Sequence, residues 1–233
     1  MYVIVTIPAF NEQECLRETV MEIKQAMEAA GFDSYGILVQ DDASTDDTSQ
    51  IAAEVATYVY RNERHLGLAG TFREEIRNCL HHGADIIVHT DADGQYPARH
   101  IPDMIQKIQA GYDLVVGSRF VGGTRYGNSR VRAIQNILFS RLMRILSGFP
   151  ITDVTSGFRA MNRRTAERIV IRSQFTYTYE QYFQAAFLKL AIAEIPIDGR
   201  KTRASKLVRN SFDYGFHAAK DIFRHYCAWT NRR

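Results

Sequence analysis

Over its first half the chain alternates short apolar, β-branched runs with longer stretches whose apolar residues recur every three or four positions. Val3–Ile7, Ile37–Val39, Tyr58–Tyr60, Ile86–Thr90 and Leu114–Val116 read as strands. Glu12–Ala30 carries Leu16, Val20, Ile23 and Met27 at helical spacing and stops at Gly31. Ser44-Thr45-Asp46 opens a second helix bearing Ile51 and Val55, with Asp46 as its cap. A third helix follows Gly67, runs through His82 and closes at Gly83; a fourth covers Pro97–Ala110 and closes at Gly111. Apolar strands separated by helices predict a mostly parallel sheet covered on both faces. Right-handed crossovers then gather the strand C-termini on one rim, where ligands bind.

The strand ends are where the polar residues fall. Pro8-Ala9-Phe10-Asn11-Glu12 follows the first strand, Asp41-Asp42-Ala43-Ser44 the second, Asp91-Ala92-Asp93-Gly94-Gln95 the fourth, and Gly117-Ser118-Arg119 the fifth. The stretch after the fourth strand is the most telling. Two carboxylates two residues apart, with an amide oxygen two further on, are ligands of the kind hard divalent cations take, and Mg²⁺ keeps positions open for substrate phosphates. Asp, Gly and Gln also suit a plain turn.

After the fifth strand the alternation breaks. Arg119–Ser129 is a Gly-rich loop and Arg130–Leu146 a helix. Between Asp113 and Asp153 there is no acidic residue, while Arg119, Arg125, Arg130, Arg132, Arg141 and Arg144 fall inside. Guanidinium forks at a ligand rim suit an anionic substrate group such as phosphate. Arg141 and Arg144 also fit a solvated face. A second basic loop, Arg200–Lys206, follows a late strand Ile192–Ile197. Phe212–Trp229 has Phe212, Phe216, Ala219, Phe223 and Tyr226 at helical spacing. It reads as an amphipathic helix packed on the domain or a partner subunit, or lying in a membrane interface.

The length of 233 residues suits one large α/β domain with a small appendage, divided here as 1–210 and a helical extension 211–233. A net charge of +3 is too small to imply nucleic acid, and the basic tract lacks a groove-sized array of stacking aromatics. Cys15, Cys79 and Cys227 are scattered and read as free thiols of a reducing compartment, the first two on apolar helix faces. The N-terminus runs straight into a strand with no signal-peptide pattern, and no window approaches a membrane-spanning apolar run. The expected location is therefore cytoplasmic, or peripheral on the cytoplasmic face of a membrane. A membrane-bound substrate would be reached from outside or through a tethering partner.

Five landmarks appear in order: Ile7-Pro8-Ala9-Phe10-Asn11-Glu12, Gln40–Asp46, Asp91–Gln95, Gly117-Ser118-Arg119 and Thr155-Ser156-Gly157-Phe158-Arg159. With them the chain resembles the family 2 glycosyltransferases of GT-A fold, and most resembles the dolichol-phosphate mannosyltransferase and polyprenyl-phosphate glycosyltransferase branch. The resemblance spans residues 3–207. It implies an α/β, mostly parallel GT-A sheet flanked by helices. It also implies inverting transfer of a sugar, such as mannose or glucose, from a GDP- or UDP-sugar to a polyprenyl or dolichyl phosphate. Pro8, Phe10, Asn11, Glu12, Asp41 and Asp42 would line the nucleotide pocket. Asp91, Asp93 and Gln95 would hold Mg²⁺ or Mn²⁺ on the diphosphate. Arg119, Arg132, Asn136, Arg200, Ser205 and Lys206 would bind the acceptor phosphate. Catalysis would rest on Asp93, Arg119 and Glu180.

The chain departs from the family pattern at several positions: Phe10 for Tyr, Gln40 and Ala43 for Val and Gly, Asn136 for Ser, and Arg203 for Gly. Glu180 reads as a base, as a loop-orienting group, or as a helix-start acid favoured by the dipole. His65 reads as a pyrophosphate contact or an exposed loop histidine. Asp42 alternatively makes an Asx-turn. Three other functions were weighed. A transferase with a soluble hydroxyl acceptor is favoured by Arg203 and by the absence of a membrane-spanning apolar run. A nucleotidyltransferase would need a Gly-rich basic loop after the first strand, which Pro8–Glu12 is not. A non-catalytic nucleotide-sugar-binding subunit would not need the intact Asp-x-Asp-x-Gln.

Overall fold

The computed structural model describes residues 1–121, 130–198 and 200, with the side chains of 130–135 and 147 left aside. Its strands are β1 (Val3–Ala9), β2 (Tyr35–Asp41), β3 (Tyr58–Arg61), β4 (Ile86–His89), β5 (Leu114–Ser118), β6 (Arg159–Asn162) and β7 (Ile192–Pro196). Its helices are α1 (Leu16–Ala29), α2 (Thr48–Val55), α3 (Gly67–His81), α4 (Ile101–Gln109), α5 (Arg130–Ser147), α6 (Arg163–Arg168) and α7 (Thr178–Phe187). The strands form one sheet in the order β3-β2-β1-β4-β6-β5-β7. The pairs β1–β2, β1–β4, β2–β3 and β5–β7 are parallel. Strand β6 runs antiparallel to both β4 and β5.

The period-two rule sorts the core. Val3, Val5 and Ile7 of β1 point to one face, where Leu16, Val20, Ile23 and Met27 of α1 and Ile101, Met104 and Ile105 of α4 cover them. Ile4 points to the other face, against Phe72, Ile76 and Cys79 of α3 and Tyr179 and Tyr182 of α7. Both faces are apolar because both are covered, so strands read from the sequence as continuous apolar runs fall where expected. Helix α1 starts at Leu16, four residues later than expected. Glu12–Cys15 turns ahead of it, with the Leu16 amide donating to Glu12 O at 3.0 Å. Cys79 lies buried on α3 as expected, whereas Cys15 is the half-buried residue capping α1 rather than part of its apolar face. The fourth helix opens with a 3-10 turn, Ala98–His100.

The structure adds β6 and α6, and α7 places Glu180 in a first helical turn, one of the readings given for it above. The antiparallel course of β6 matters for the site. Its first residue, Arg159, pairs with His89 and Val116, so β6 begins where its parallel neighbours end. The Thr155–Arg159 landmark therefore enters the sheet from the ligand rim. The expected helix Phe212–Trp229, Cys227, and the 1–210 and 211–233 division lie in part or whole outside the described residues.

Candidate active site

The first two rim loops are laced together. Asn11 sits in the left-handed region (φ 56°), its amide donating to Ser44 Oγ at 3.0 Å while its Oδ1 accepts from the Thr45 amide at 2.8 Å. The Glu12 amide donates to Thr48 Oγ1 at 2.8 Å. Pro8 and Glu12 are half-buried. Asp46 accepts from the Thr48 amide at 3.0 Å, so it caps α2 as expected, although Asp47 holds the capping position itself.

Asp42 makes no Asx-turn; the loop is instead held by Asp41, which bonds the backbone three residues on. Fully buried, Asp41 accepts from the Ser44 amide at 2.9 Å and from Arg61 Nη1 at 2.8 Å. Asp42 instead accepts from the Leu66 amide at 2.7 Å, the Gly67 amide at 2.9 Å and Asn62 Nδ2 at 2.8 Å. It thus satisfies amides at the start of α3, where the helix dipole favours an anion. His65 Nδ1 lies 2.8 Å from the same carboxylate. The His65 ring packs 4.2 Å, centroid to centroid, from Phe10. Phe10 is 36% exposed and the His65 side chain 51%, so the two rings form an aromatic ledge on the rim.

Past β4 the chain makes the turn and the candidate cation site with the same residues. Asp93 Oδ1 accepts from the Gln95 amide at 2.9 Å, and Gly94 supplies the left-handed φ of 70°. Burial, then the negative charge of Asp93, pushes the Asp91 carboxyl up to about 7, while the charges of His89 and Arg119 pull the other way. Two carboxylates whose charges oppose each other fit a divalent cation, which removes that repulsion. Among the described residues no cluster of three His, Cys, Asp or Glu side chains exists that could hold a metal. Asp91, Asp93 and the Gln95 oxygen would therefore hold Mg²⁺ or Mn²⁺ incompletely, leaving positions for a diphosphate and water.

The lead-in to β6 forms the wall beside this turn. A Cβ at Gly157 would stand 3.3 Å from Asp91 Oδ1 and 3.1 Å from the Tyr177 hydroxyl, so glycine leaves the carboxylate its room. The Gly157 amide donates to the Tyr96 hydroxyl at 3.2 Å, and its carbonyl accepts from the Tyr177 hydroxyl at 3.3 Å. Arg159 is fully buried and donates to the carbonyls of Ser156 (2.9 Å), Val154 (3.0 Å) and Thr178 (3.0 Å). Its guanidinium also lies 4.7 Å from the Tyr182 ring centroid. The cage joins the lead-in loop to the start of α7.

On the acceptor side, the guanidinium of Arg119 is turned inward. Its Nε donates to Asp153 Oδ2 at 2.7 Å and its Nη2 to Asp153 Oδ1 at 2.9 Å and Thr155 Oγ1 at 2.7 Å. Both side chains are buried. Burial pushes the Asp153 carboxyl up, but Arg119 more than offsets this and holds it below the usual carboxylate range. Asp153 was not singled out beforehand, although as the first acid after Asp113 it was the natural partner for the basic tract. Arg132 lies in the first turn of α5, its side chain outside the described set, and Asn136 is half-buried on the same helix. Arg200 pairs with Glu22 of α1 through Nη1 (2.8 Å) and Nη2 (2.7 Å), and its amide donates to Gln95 O at 2.9 Å. The segment after β7 is thus fastened to the cation turn. Ser205 and Lys206 lie outside the described residues. Glu180, buried in the first turn of α7, accepts from the Arg172 and Ser173 amides at 2.7 and 2.8 Å.

Known proteins resemble this chain in sequence and in fold. The family described as "Glycosyl transferase family 2" matches residues 4–170. An undecaprenyl-phosphate mannosyltransferase of Micrococcus luteus is 31% identical over 207 residues, covering 84% of this chain and 83% of that protein. A polyprenol monophosphomannose synthase of Mycolicibacterium smegmatis is 29% identical over 205 residues, 83% of this chain and 76% of that protein. In structure, the chain resembles glucosyl-3-phosphoglycerate synthase from Mycobacterium tuberculosis, crystallised with Mn²⁺, UDP-glucose and phosphoglyceric acid. The TM-score is 0.72 at 20% identity, covering 98% of this chain and 79% of that one. That likeness bears out the GT-A fold.

Proposed function

The chain belongs to glycosyl transferase family 2, and on that premise we propose that it moves a hexose from a nucleotide diphosphate sugar to a polyprenyl or dolichyl phosphate, inverting the anomeric centre. The observation that carries this reading is the Asp91–Asp93 pair at the end of β4. It is walled by Gly157 and lies within electrostatic reach of Arg119, which opens the acid-free basic tract. The curated relatives named above act on lipid phosphates by their descriptions, which supports the acceptor class. The synthase crystallised with Mn²⁺ and UDP-glucose supports the donor class.

In this mechanism Asp91, Asp93 and Gln95 would hold Mg²⁺ or Mn²⁺ beside the donor. When bound, the cation neutralises charge developing on the leaving group. Phe10 and His65 offer their ledge to the base, and Pro8, Asn11, Glu12, Asp41 and Asp42 shape the loops around it. An acceptor phosphate is already anionic at neutral pH, so no side chain need take its proton and positioning suffices. Arg132, Asn136, Ser205 and Lys206 are assigned to that positioning. Arg200 joins them once the phosphate displaces Glu22, an exchange made affordable by the partial exposure of the pair. Arg119 is assigned to the field at Asp91 and to holding the Asp153–Thr155 loop, and Glu180 to holding the Arg172–Ser173 loop.

Incubation of the full chain with Mn²⁺ and GDP-mannose or UDP-glucose tests this. The acceptors offered are polyprenyl phosphate, polyprenol and 3-phosphoglycerate. Glycosylated polyprenyl phosphate is the expected product, and Asp93→Ala lowers its formation by roughly 10²-fold or more with little change in melting temperature. Product from polyprenol or 3-phosphoglycerate alone overturns the lipid-phosphate half of the reading.

A further inference from the structure

Helix α5 has an outer face that the transfer chemistry leaves unexplained. Its inner face is fixed: Met143 is fully buried, Ser140 is buried and accepts from the Val154 amide at 3.1 Å, and the Phe139 ring packs on Tyr179. The opposite face is not polar. Leu138, Leu142 and Ile145 are 58%, 46% and 78% exposed. At about 100° per residue they fall within a roughly 60° sector. Arg141 lies about 40° from the edge of that sector and Arg144 about 100° away on the same side, both exposed. No acidic residue occurs anywhere from 114 to 152, so nothing on this helix or its flanking loops offsets the arginines. An ordinary solvated helix face carries charges of both signs and few large aliphatic side chains. An aliphatic outer face flanked on one side by guanidinium groups, with no acid on the helix, matches the headgroup boundary of an anionic bilayer. There the aliphatic side chains enter the acyl region and the arginines reach lipid phosphates. No described helix is long and apolar enough to cross a membrane, so contact through this helix lies along the surface.

We propose that the outer face of α5, through Leu138, Leu142 and Ile145 with Arg141 and Arg144, docks the protein on an anionic phospholipid surface. The proposal deepens the lipid-phosphate reading, because Arg132 and Asn136, assigned there to the acceptor, lie on the same helix. It concerns adsorption rather than transfer, so the two can fail separately.

The test is co-sedimentation of the full chain with vesicles of phosphatidylcholine alone and of phosphatidylcholine mixed equally with phosphatidylglycerol. The wild type is compared with a Leu138→Gln, Leu142→Gln, Ile145→Gln variant, since glutamine keeps helix propensity. Wild type should bind the anionic vesicles and release at high salt, and the triple variant should lose about tenfold in partitioning. Arg141→Glu with Arg144→Glu supplies a second arm should the glutamine variant fold poorly. It should lose anionic binding and leave binding to neutral vesicles unchanged. Wild type that ignores anionic vesicles, or variants of either kind that bind as wild type, overturn the proposal. So does a triple variant that binds vesicles normally but dissociates a wild-type dimer in ultracentrifugation, which would make this face a contact between two copies. Transfer to a short-chain, water-soluble prenyl phosphate should be unchanged in both variants. If that transfer is absent in wild type while vesicle binding behaves as expected, the functional reading falls and the docking surface stands.

Discussion

Asp91 is held in a protonation state that a cation reverses. Its carboxyl lies near 7 in the fold against 3.8 as its ordinary value, raised first by burial and then by Asp93. A raised carboxyl favours the protonated fold. Its stabilisation is complete below about pH 4 and is lost as pH rises through about 7. Without divalent cation, thermal stability should therefore decline across that window by on the order of 2 kcal/mol, allowing for the residue's partial exposure. Asp91→Asn should flatten the decline. Added Mn²⁺ binds the deprotonated pair, so the melting-temperature gain from Mn²⁺ should grow from about pH 6 to about pH 8 and vanish in Asp91→Asn. A decline that survives in Asp91→Asn would place the cost in another group. At Ala43 the cost is conformational. Inside the loop closed by the Asp41–Ser44 bond it adopts φ 62°, a region L-residues with a Cβ enter at a penalty. Ala43→Gly should raise stability by about 0.5–1 kcal/mol in urea unfolding, with donor binding unaffected.

At the scale of elements, the buried Arg119–Asp153 pair ties the end of β5 to the loop that leads into β6. Here the sign is opposite to that of Asp91. The Asp153 carboxyl is depressed, so its contribution is present above the ordinary carboxylate range and is lost as pH falls through the folded value. Arg119→Ala leaves a buried carboxylate unpaired and should cost about 3–5 kcal/mol, with Arg119→Met plus Asp153→Leu recovering a large part. Urea unfolding of the three proteins decides it. Equal losses in the single and double variants would mean the pair carries little. Lost transfer in Arg119→Ala therefore needs a melting curve beside it before it reads as a lost acceptor contact. The same region marks where sequence pattern stopped being informative. Strands β1, β2, β4 and β5 are read from apolar runs because both their faces are covered. Strand β6 is four residues long and opens on an arginine whose burial depends on carbonyls from Val154, Ser156 and Thr178, contacts no local pattern encodes. Helix α6 is a six-residue polar segment, and α7 begins inside the Thr176–Tyr179 run, whose residue types favour strands. The Asp41-Asp42 pair was visible, but which aspartate makes the turn and which caps α3 is decided by Arg61, Asn62 and His65 arriving from β3 and the loop beyond it.

For the molecule as a whole, the parallel strands bring the Phe10–His65 ledge, the Asp91–Gln95 turn and Arg119 to one rim, and β6 runs the other way to wall the turn. The donor should therefore be read in two separable increments. A nucleoside diphosphate without cation engages the Phe10–His65 ledge, and Mn²⁺ or Mg²⁺ adds the diphosphate contact through Asp91 and Asp93. A ligand present at about 100 times its Kd stabilises a fold by about 2.7 kcal/mol, or roughly 5–10 °C in Tm for a chain of this size. Thermal melting with GDP, UDP and TDP, each with and without cation, should show one base preferred and its shift enlarged by the cation. Asp93→Ala should keep the smaller, cation-independent increment and lose the larger one. Phe10→Ala should reduce both, because the ledge seats the base in either case. A shift that is the same for all three bases would remove the ledge from base recognition. A shift unaltered by cation in wild type would empty the Asp91–Asp93 turn of its assigned role, and the transfer mechanism with it.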